Sequence, residues 1–285
     1  MGTQAENLVK LVKRKSSVSS KCKVISFVSG KGGVGKTNIA ISLAYILANF
    51  FSKKVLLLDA DIGLGNIHVL LGLNNSKNLK SVFLGKTLQD IVQRTFGFDV
   101  ILGFSGIETI EELESTDTSN FVFQLEEILS DYDYVLIDNS AGLNRNTISF
   151  SRVASTTYVI TAPEPTALTD AYAFIKSLYR IYGYGNFKVV VNMCRSTSEG
   201  FETFERLKFS CENFLGISPR LASVLPFSKK VKEAVLRKQI VVKEFPSDPF
   251  SVGLKKIAQE ETGEVLHERK ESFISRLIRV FKEGA

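Results

Sequence analysis

The chain has 285 residues, of which 44% are hydrophobic, and it carries three cysteines and a net charge of +6. This length suits one large domain with a buried core and is too short for three. The apolar runs fall short of the ~18 residues that cross a bilayer, and no stretch near Met1 has the pattern of a signal peptide, so we expect a cytoplasmic protein. Cys22, Cys194 and Cys211 form no CxxC pair, which argues against a disulfide frame, a zinc site or an iron–sulfur cluster.

The positive charge is concentrated near the N-terminus. Residues 1–23 carry about +5 and residues 264–285 about +1, which leaves the rest of the chain near neutral. A nucleic-acid-binding body would carry excess positive charge, so we expect no specific nucleic-acid partner. The stretch KRKSSVSSK, which ends at Lys21, is typical of a flexible tether.

A glycine-rich loop connects the first predicted strand, KVISFVSG, to a long apolar helix, TNIAISLAYILANFF. The loop fits the pattern GxxxxGK[ST], which cradles phosphates when it lies between a strand and a helix. Its glycines let backbone N–H groups turn towards the phosphates, and the helix N-terminus adds partial positive charge. We expect Lys36 to reach the β- and γ-phosphates and the Thr37 hydroxyl to bind Mg²⁺. The residues assigned to the nucleotide are Gly30, Lys31, Gly32, Gly33, Val34, Gly35, Lys36, Thr37 and Asn38.

Two further predicted strands end in carboxylates. KKVLLLDADIGLGN carries Asp59 and Asp61, and YDYVLIDNSAG carries Asp138. Ligands of parallel sheets bind outside the carboxyl ends of the strands, so all three carboxylates should face the same crevice as the loop. Three acids beside a nucleotide make sense if a cation and an attacking water are also present. Taken singly, each aspartate could instead cap a helix or stabilise a turn.

The segment YVITAPEPTALTDA, at 158–171, predicts a strand, a rigid Pro-Glu-Pro turn and a threonine-capped helix. A purely structural role for this segment is an open alternative.

Near the C-terminus, the stretch ESFISRLIRVFKEG predicts an amphipathic helix, because its apolar residues share one arc of a helical wheel and its basic residues lie opposite. Such a helix can lie in a membrane interface. The alternative is that it packs on its own domain. The apolar residues are Phe273, Ile274, Leu277, Ile278, Val280 and Phe281.

Lys31 within GKGGVGKT, together with DADIGLGN and DNSAG, resembles the deviant Walker A ATPases of the MinD and ParA group. The resemblance implies ATP or ADP with Mg²⁺ as ligands, and a homodimer with ATP. It implies that Lys31 crosses the dimer interface to the partner's ATP, so that Lys31, Lys36 and Asp61 are the catalytic candidates. Asp61 matches the residue that positions the attacking water, whereas Asp59 and Asp138 match positions near the Mg²⁺ shell, where Thr37 also belongs.

The stretch TAPEPTALTDAYAFIKSL, at 161–178, resembles the flagellar branch of that family, known as FlhG or FleN. The branch implies that Asn192, at the end of VVVNM, lies by the adenine, with Pro226 in SVLPFS as a second base-side candidate. Ser140 departs from the family, which often has Pro or Gly there in a segment that moves when the γ-phosphate leaves. The rate of hydrolysis is therefore left open.

The N-terminal segment TQAENLVKLVKR resembles the DQAxxLR activation motif of the same branch. Gln4, Ala5 and Leu8 match the motif, whereas Thr3 and Val9 replace its Asp and Arg. The resemblance implies a helix that inserts into the partner GTPase FlhF. The alternative is a solvated basic tail.

These patterns together predict an α/β fold, with a doubly wound, mostly parallel sheet and helices on both faces. The predicted parts are a flexible arm with a partner-activating helix at 1–22, an ATPase domain at 23–262 and a membrane-targeting helix at 263–285. The implied function is a slow, partner-stimulated ATPase switch that dimerises with ATP and associates reversibly with the inner face of the cell membrane. It would regulate flagellar number and placement through FlhF, switch components or a transcriptional activator. A division-site MinD, a DNA-partitioning ParA and a non-catalytic nucleotide-binding adaptor are the alternatives.

Overall fold

An eight-stranded sheet forms the centre of the computed structural model, which describes residues 22–61, 65–83, 85–103, 124 and 127–266. The strand order is β3-β4-β2-β5-β1-β6-β7-β8. Neighbouring strands are parallel except β3 and β4, which pair antiparallel at one edge. The strands are β1 (Lys23–Val28), β2 (Val55–Ala60), β3 (Gln93–Thr95), β4 (Phe98–Ile101), β5 (Tyr134–Asn139), β6 (Thr156–Thr161), β7 (Phe187–Cys194) and β8 (Arg220–Pro226).

Helices cover both faces of this sheet, so the predicted α/β architecture is confirmed. Helices α1 and α10 pack together on one face, and α6 and α7 pack together on the other. The helices are α1 (Lys36–Phe50), α2 (Ile67–Leu71), α3 (Lys80–Phe83), α4 (Leu88–Ile91), α5 (Arg145–Val153), α6 (Pro165–Tyr182), α7 (Thr197–Leu215), α8 (Lys229–Leu236), α9 (Val241–Glu244) and α10 (Pro249–Thr262).

Successive residues of the central strands enter different hydrophobic cores. In β7, Val190 packs in the core under α1 and α10, whereas Val189 and Val191 pack under α6 and α7. A strand buried on both faces needs apolar residues at consecutive positions, which explains the unbroken β-branched run of β7. The same rule explains β1, where Phe27 stacks on Tyr158 of β6 with ring centroids 5.5 Å apart.

The position of β1 in the sheet fixes the position of the functional site. The chain leaves β1 towards β2 on one side, whereas it leaves β5, the neighbour of β1, towards β6 on the other side. This reversal opens a crevice at the carboxyl ends of the strands. The chain enters α1 from that end of β1, and α10 finishes at the opposite end, where Gly263 caps it in the left-handed region at φ 69°. Among the described residues, no helix combines the length and hydropathy needed to span a membrane.

Candidate functional site

The loop between β1 and α1 lies at the crevice and depends on glycine for its path. Gly33 and Gly35 have φ values of 83° and 88°, a region that favours glycine over residues with side chains. Gly35 is also the N-cap of α1, and no side chain caps this helix end by hydrogen bonding. The first N–H groups of α1 are therefore left for a bound anion.

Two glycines of the loop are required because other backbone or side-chain groups approach them closely. A Cβ at Gly30 would overlap the Cβ and carbonyl carbon of Asp170 in α6. A Cβ at Gly35 would overlap the amide nitrogen of Asn192, which donates to the Val34 carbonyl over 2.8 Å. The loop is thus held between α6 and the end of β7 before any ligand arrives.

Lys36 lies at the mouth of the loop with its side chain 8% exposed. Its ammonium donates to Asp138 Oδ1 over 2.5 Å, and the Asp138 side chain is 2% exposed. Thr37 follows in the first turn of α1, where it is half-buried. The structure therefore brings together a buried cation, a buried carboxylate and a hydroxyl-bearing residue at one helix N-terminus.

Asp59 lies beside Asp138 because β2 and β5 are neighbours in register. Burial of Asp59, and then the nearby charge of Asp138, raise the pKa of Asp59 to about 7, although the Asp61 N–H donates to its Oδ1 over 3.1 Å. Burial also raises the pKa of Asp61, while the Lys36 charge opposes this shift. These acids are close enough to perturb each other, as the sequence predicted.

Among the described residues, Lys36 pairs with Asp138 and opposes the pKa shift of Asp61, while Asp59 lies beside Asp138, so the acids at this site outnumber the cation that faces them. A divalent cation would relieve this imbalance. The described residues contain no preformed cluster of three metal-binding side chains. Mg²⁺ usually takes one or two carboxylates from the protein and completes its shell with phosphates and water.

Lys31 does not point into the site of its own chain. Its ammonium contacts Oε2 of Glu164, the N-cap of α6, at 2.5 Å and Oγ1 of Thr166, in the first turn of α6, at 3.5 Å. The side chain of Lys31 is 42% exposed. Lys31 is therefore on the outer rim, and its predicted action on a partner's nucleotide stays a prediction.

The base-side candidates lie at the carboxyl ends of β7 and β8. Asn192 is 4% exposed and Pro226 is half-buried, opposite Cys194 in the sheet. The sequence analysis missed Met193, which has φ 59° and lies with its Cε 3.7 Å from the position of a Cβ at Gly35. No sequence pattern predicts a positive φ at a residue other than glycine. The only sequence signal for Met193 was its position next to Asn192.

The segment after β5 is linked to the phosphate loop. The Gly142 N–H donates to the Ser29 carbonyl over 2.8 Å. Ser140 accepts from the Asn144 amide at 2.7 Å and lies 3.3 Å from the Thr147 hydroxyl. A shift of the loop would therefore move the segment that carries Ser140. Neither Asn144 nor Thr147 was predicted from the sequence.

One local prediction was wrong. Helix α6 begins at Pro165 with Glu164 as its N-cap, and no threonine side chain caps it. Thr166 lies inside the first turn, because Pro165 has no N–H group and fits the first helical position. The side chain of Glu164 is therefore available for Lys31.

Two sets of predicted residues lie outside the part of the chain that the structure describes. They are the partner-binding residues Gln4, Ala5 and Leu8 and the membrane residues Phe273, Ile274, Leu277, Ile278 and Phe281. Both assignments, like the division into parts at 1–22, 23–262 and 263–285, stay predictions.

Comparison with known families and curated proteins agrees with this geometry. Residues 22–191 match the family model AAA_31, described as an AAA domain. The antiactivator FleN of Pseudomonas aeruginosa is 35% identical over 239 residues, which cover 83% of this chain and 85% of FleN. The flagellum site-determining protein YlxH of Helicobacter pylori is 33% identical, with 97% of each chain covered.

Solved structures show the same fold. The septum site-determining protein MinD of Pyrococcus horikoshii, in complex with Mg-ADP, superposes with a TM-score of 0.67 at 23% identity. The match covers 89% of this chain and 98% of that MinD.

Proposed function

Because this chain belongs to the MinD/ParA-like AAA_31 family, within the group that contains FleN and YlxH, we propose that it is an ATPase that regulates flagella. Its ligands would be ATP and ADP with Mg²⁺. One observation carries the proposal: a glycine loop at a helix N-terminus meets the Lys36–Asp138 ion pair and the buried Asp59 at one crevice. That combination supplies donors for phosphates and excess negative charge for a divalent cation.

Each part of the site has a role in binding the nucleotide. The loop N–H groups from Gly30 to Lys36 would hold the phosphates, and the Lys36 ammonium would exchange Asp138 for a phosphate oxygen. Thr37, Asp59 and Asp138 would hold Mg²⁺, which when bound neutralises charge on the transferring phosphoryl group.

The reaction proposed is attack of water on the γ-phosphate. Asp61, which is half-buried beside Asp59, would accept a hydrogen bond from that water and orient it. Lys36 would stabilise the developing negative charge. Turnover would be slow without a partner, because Lys31 lies on the rim rather than in its own site.

A second copy of the chain would complete the site. Lys31 would reach across the interface to the partner's ATP, so ATP binding would promote dimerisation and hydrolysis would end it. In the dimer, two C-terminal helices could insert into one membrane surface, which strengthens binding without a new type of contact. The proposal thus places the protein in the cytoplasm, reversibly associated with the inner face of the membrane.

The biological output follows from the relatives. FleN is an antiactivator and YlxH determines the flagellum site. We therefore propose control of flagellar number and placement, with an FlhF-like GTPase, switch components or a transcriptional activator as partners. The described body matches MinD in fold, so partner-binding residues rather than fold would set this role apart from septum placement.

Lys31→Ala tests the switch. The variant should bind ATP but lose ATP-dependent dimerisation, measured by light scattering, and lose ATP-dependent co-sedimentation with anionic vesicles. Lys229→Ala is the matched control, since Lys229 is an exposed lysine at the start of α8. Normal dimerisation of Lys31→Ala with ATP would refute the trans role.

A further inference from the structure

The contact between Lys31 and Glu164 joins two elements that are fixed relative to each other. Lys31 belongs to the phosphate loop, and Glu164 is the N-cap of α6. Gly30 lies against the backbone of Asp170, which is in the second turn of α6. The loop therefore cannot move far from α6 without opening this packing, and the carboxylate stays within reach of the ammonium.

Glu164 does not serve its own helix through its side chain. Its carboxylate makes no capping hydrogen bond to α6. Pro165 occupies the first helical position and has no N–H group to satisfy, so an acceptor is less needed there. Glu164 Oε2 instead accepts from Lys31, with the Thr166 hydroxyl at the edge of the contact.

We propose that Glu164 is a positioning residue that holds Lys31 in its own chain until a second copy with bound ATP offers a phosphate in its place. The inference rests on the trans role of Lys31 proposed above. Dimerisation then requires two exchanges, one in each protomer, of a carboxylate for a phosphate. Glu164 thereby sets the nucleotide and protein concentrations at which the dimer forms.

The exposure of the pair makes it a weak restraint. The Lys31 and Glu164 side chains are 42% and 61% exposed, so solvent screens their attraction. Exposed ion pairs change an equilibrium constant by roughly fivefold at most. Because both protomers release the contact, the effect on the dimerisation constant is the square, up to roughly 30-fold. A restraint of this size shifts the protein concentration at which the dimer forms, without preventing dimerisation.

Glu164→Gln removes the charge and retains the length of the side chain. With the non-hydrolysable analogue AMP-PNP and Mg²⁺, the variant should dimerise at a protein concentration roughly 2- to 30-fold lower than the wild type. Analytical ultracentrifugation gives this midpoint. Raising the salt concentration should reduce the difference between the two midpoints, because salt screens the attraction between Lys31 and Glu164 in the wild type. Glu205→Gln, the same change at an exposed position of α7, should leave the midpoint unchanged.

A second measurement tests the contact without any dimer. In the nucleotide-free full chain, an amine-reactive reagent followed by mass spectrometry reports how freely each lysine reacts. Glu164→Gln should increase modification of Lys31 severalfold and leave that of Lys229 unchanged. An unchanged rate at Lys31 overturns the contact, whatever the fate of the proposed function.

The two measurements separate this inference from the proposed function. If Glu164→Gln weakens dimerisation, Glu164 supports the dimer and the inference is wrong. If Lys31→Ala abolishes dimerisation while Glu164→Gln leaves the dimerisation midpoint unchanged, Lys31 acts in trans as proposed but Glu164 does not restrain it, and the inference is wrong.

Discussion

Both ends of the central strands bury charged residues, but they do so differently. At the carboxyl ends, Asp59 lies beside Asp138, which pairs with the ammonium of Lys36. At the amino ends, Glu261 of α10 forms ion pairs with Lys23 of β1 and Lys188 of β7. The first cluster has more acids than cations, whereas in the second the fully buried Glu261 pairs with both cations, and Lys188 also pairs with the more exposed Glu260.

At the amino ends, one oxygen of the Glu261 carboxylate accepts two hydrogen bonds. Glu261 Oε1 accepts from Lys188 at 2.7 Å and from the Tyr158 hydroxyl at 2.5 Å. Burial alone would raise the pKa of Glu261, but the hydrogen bonds from Lys188, Lys23 and Tyr158 outweigh burial and hold that pKa below its ordinary value. The charged form is therefore the form that the fold prefers.

At the carboxyl ends the preference is opposite. Burial and the Asp138 charge raise the pKa of Asp59 to about 7, so its charged form is poorly stabilised by the protein alone. A buried cluster that the chain neutralises itself contributes to the fold, whereas one that it leaves unbalanced is suited to a ligand. The difference supports the proposal that the nucleotide binds at the carboxyl ends of the strands.

Lys36→Ala should have the largest effect of the variants that test this comparison. It removes the only described ammonium paired with Asp138, and with it the group placed to stabilise transferring charge. ATP turnover should fall by about 10²- to 10³-fold. A phosphate-release assay measures the loss, with thermal unfolding to show that the fold persists. Turnover within tenfold of the wild type would contradict the assignment of this end as the catalytic one.

Glu261→Gln should have the next largest effect, and on stability rather than on the chemistry of the site. It leaves Lys188 and Lys23 without their buried partner, which should cost about 3 kcal/mol of unfolding free energy at pH 7. Urea denaturation measures this difference. Glu264→Gln is the matched control, because Glu264 pairs with Lys53 at the surface and should change stability by at most about 0.5 kcal/mol.

The effect of Glu261→Gln should depend on pH in a defined direction. The pKa of Glu261 is lower in the folded chain than its ordinary value of about 4.5, so the unfolded chain takes up the proton first as pH falls. The stabilisation is complete above that ordinary value and is lost as pH falls through the folded pKa. The gap between wild type and variant should therefore be constant near neutrality and shrink below about pH 4.5. A gap that widens on acidification would show that Glu261 is not held charged.

The carboxyl-end site could be predicted from the sequence because its parts follow local patterns. The loop, the strand ends and Asp59, Asp61 and Asp138 are all marked by residue type and spacing. The amino-end cluster could not, since Lys23 and Glu261 are 238 positions apart and a glutamate in a helix usually faces solvent. Its existence depends on how α10 lies across the sheet.

The same limit explains the other misses. The contact between Glu164 and Lys31 joins residues 133 positions apart. The threonine predicted to cap α6 lies inside its first turn, because Pro165 occupies the first helical position. The strand pattern predicted a mostly parallel, doubly wound sheet, but it predicted neither the order of the strands nor the antiparallel pairing of β3 with β4. Side-chain pairs between residues far apart in the sequence could be identified only from the packed structure.

The smallest expected effect comes from Asp59→Asn, which relieves the imbalance at the carboxyl ends. Above pH 7, where Asp59 is charged in the folded chain, the variant removes a charge that burial and Asp138 disfavour, so the nucleotide-free protein should gain about 1 kcal/mol, or about 2–4 °C in Tm. Mg²⁺ with ATP should stabilise the wild type more than the variant, since Asp59 is a proposed Mg²⁺ ligand. Asp131→Asn, at an exposed position, should alter neither quantity measurably. A loss of stability in nucleotide-free Asp59→Asn would mean that the chain neutralises Asp59 after all, and the two ends of the sheet would then differ in location but not in kind.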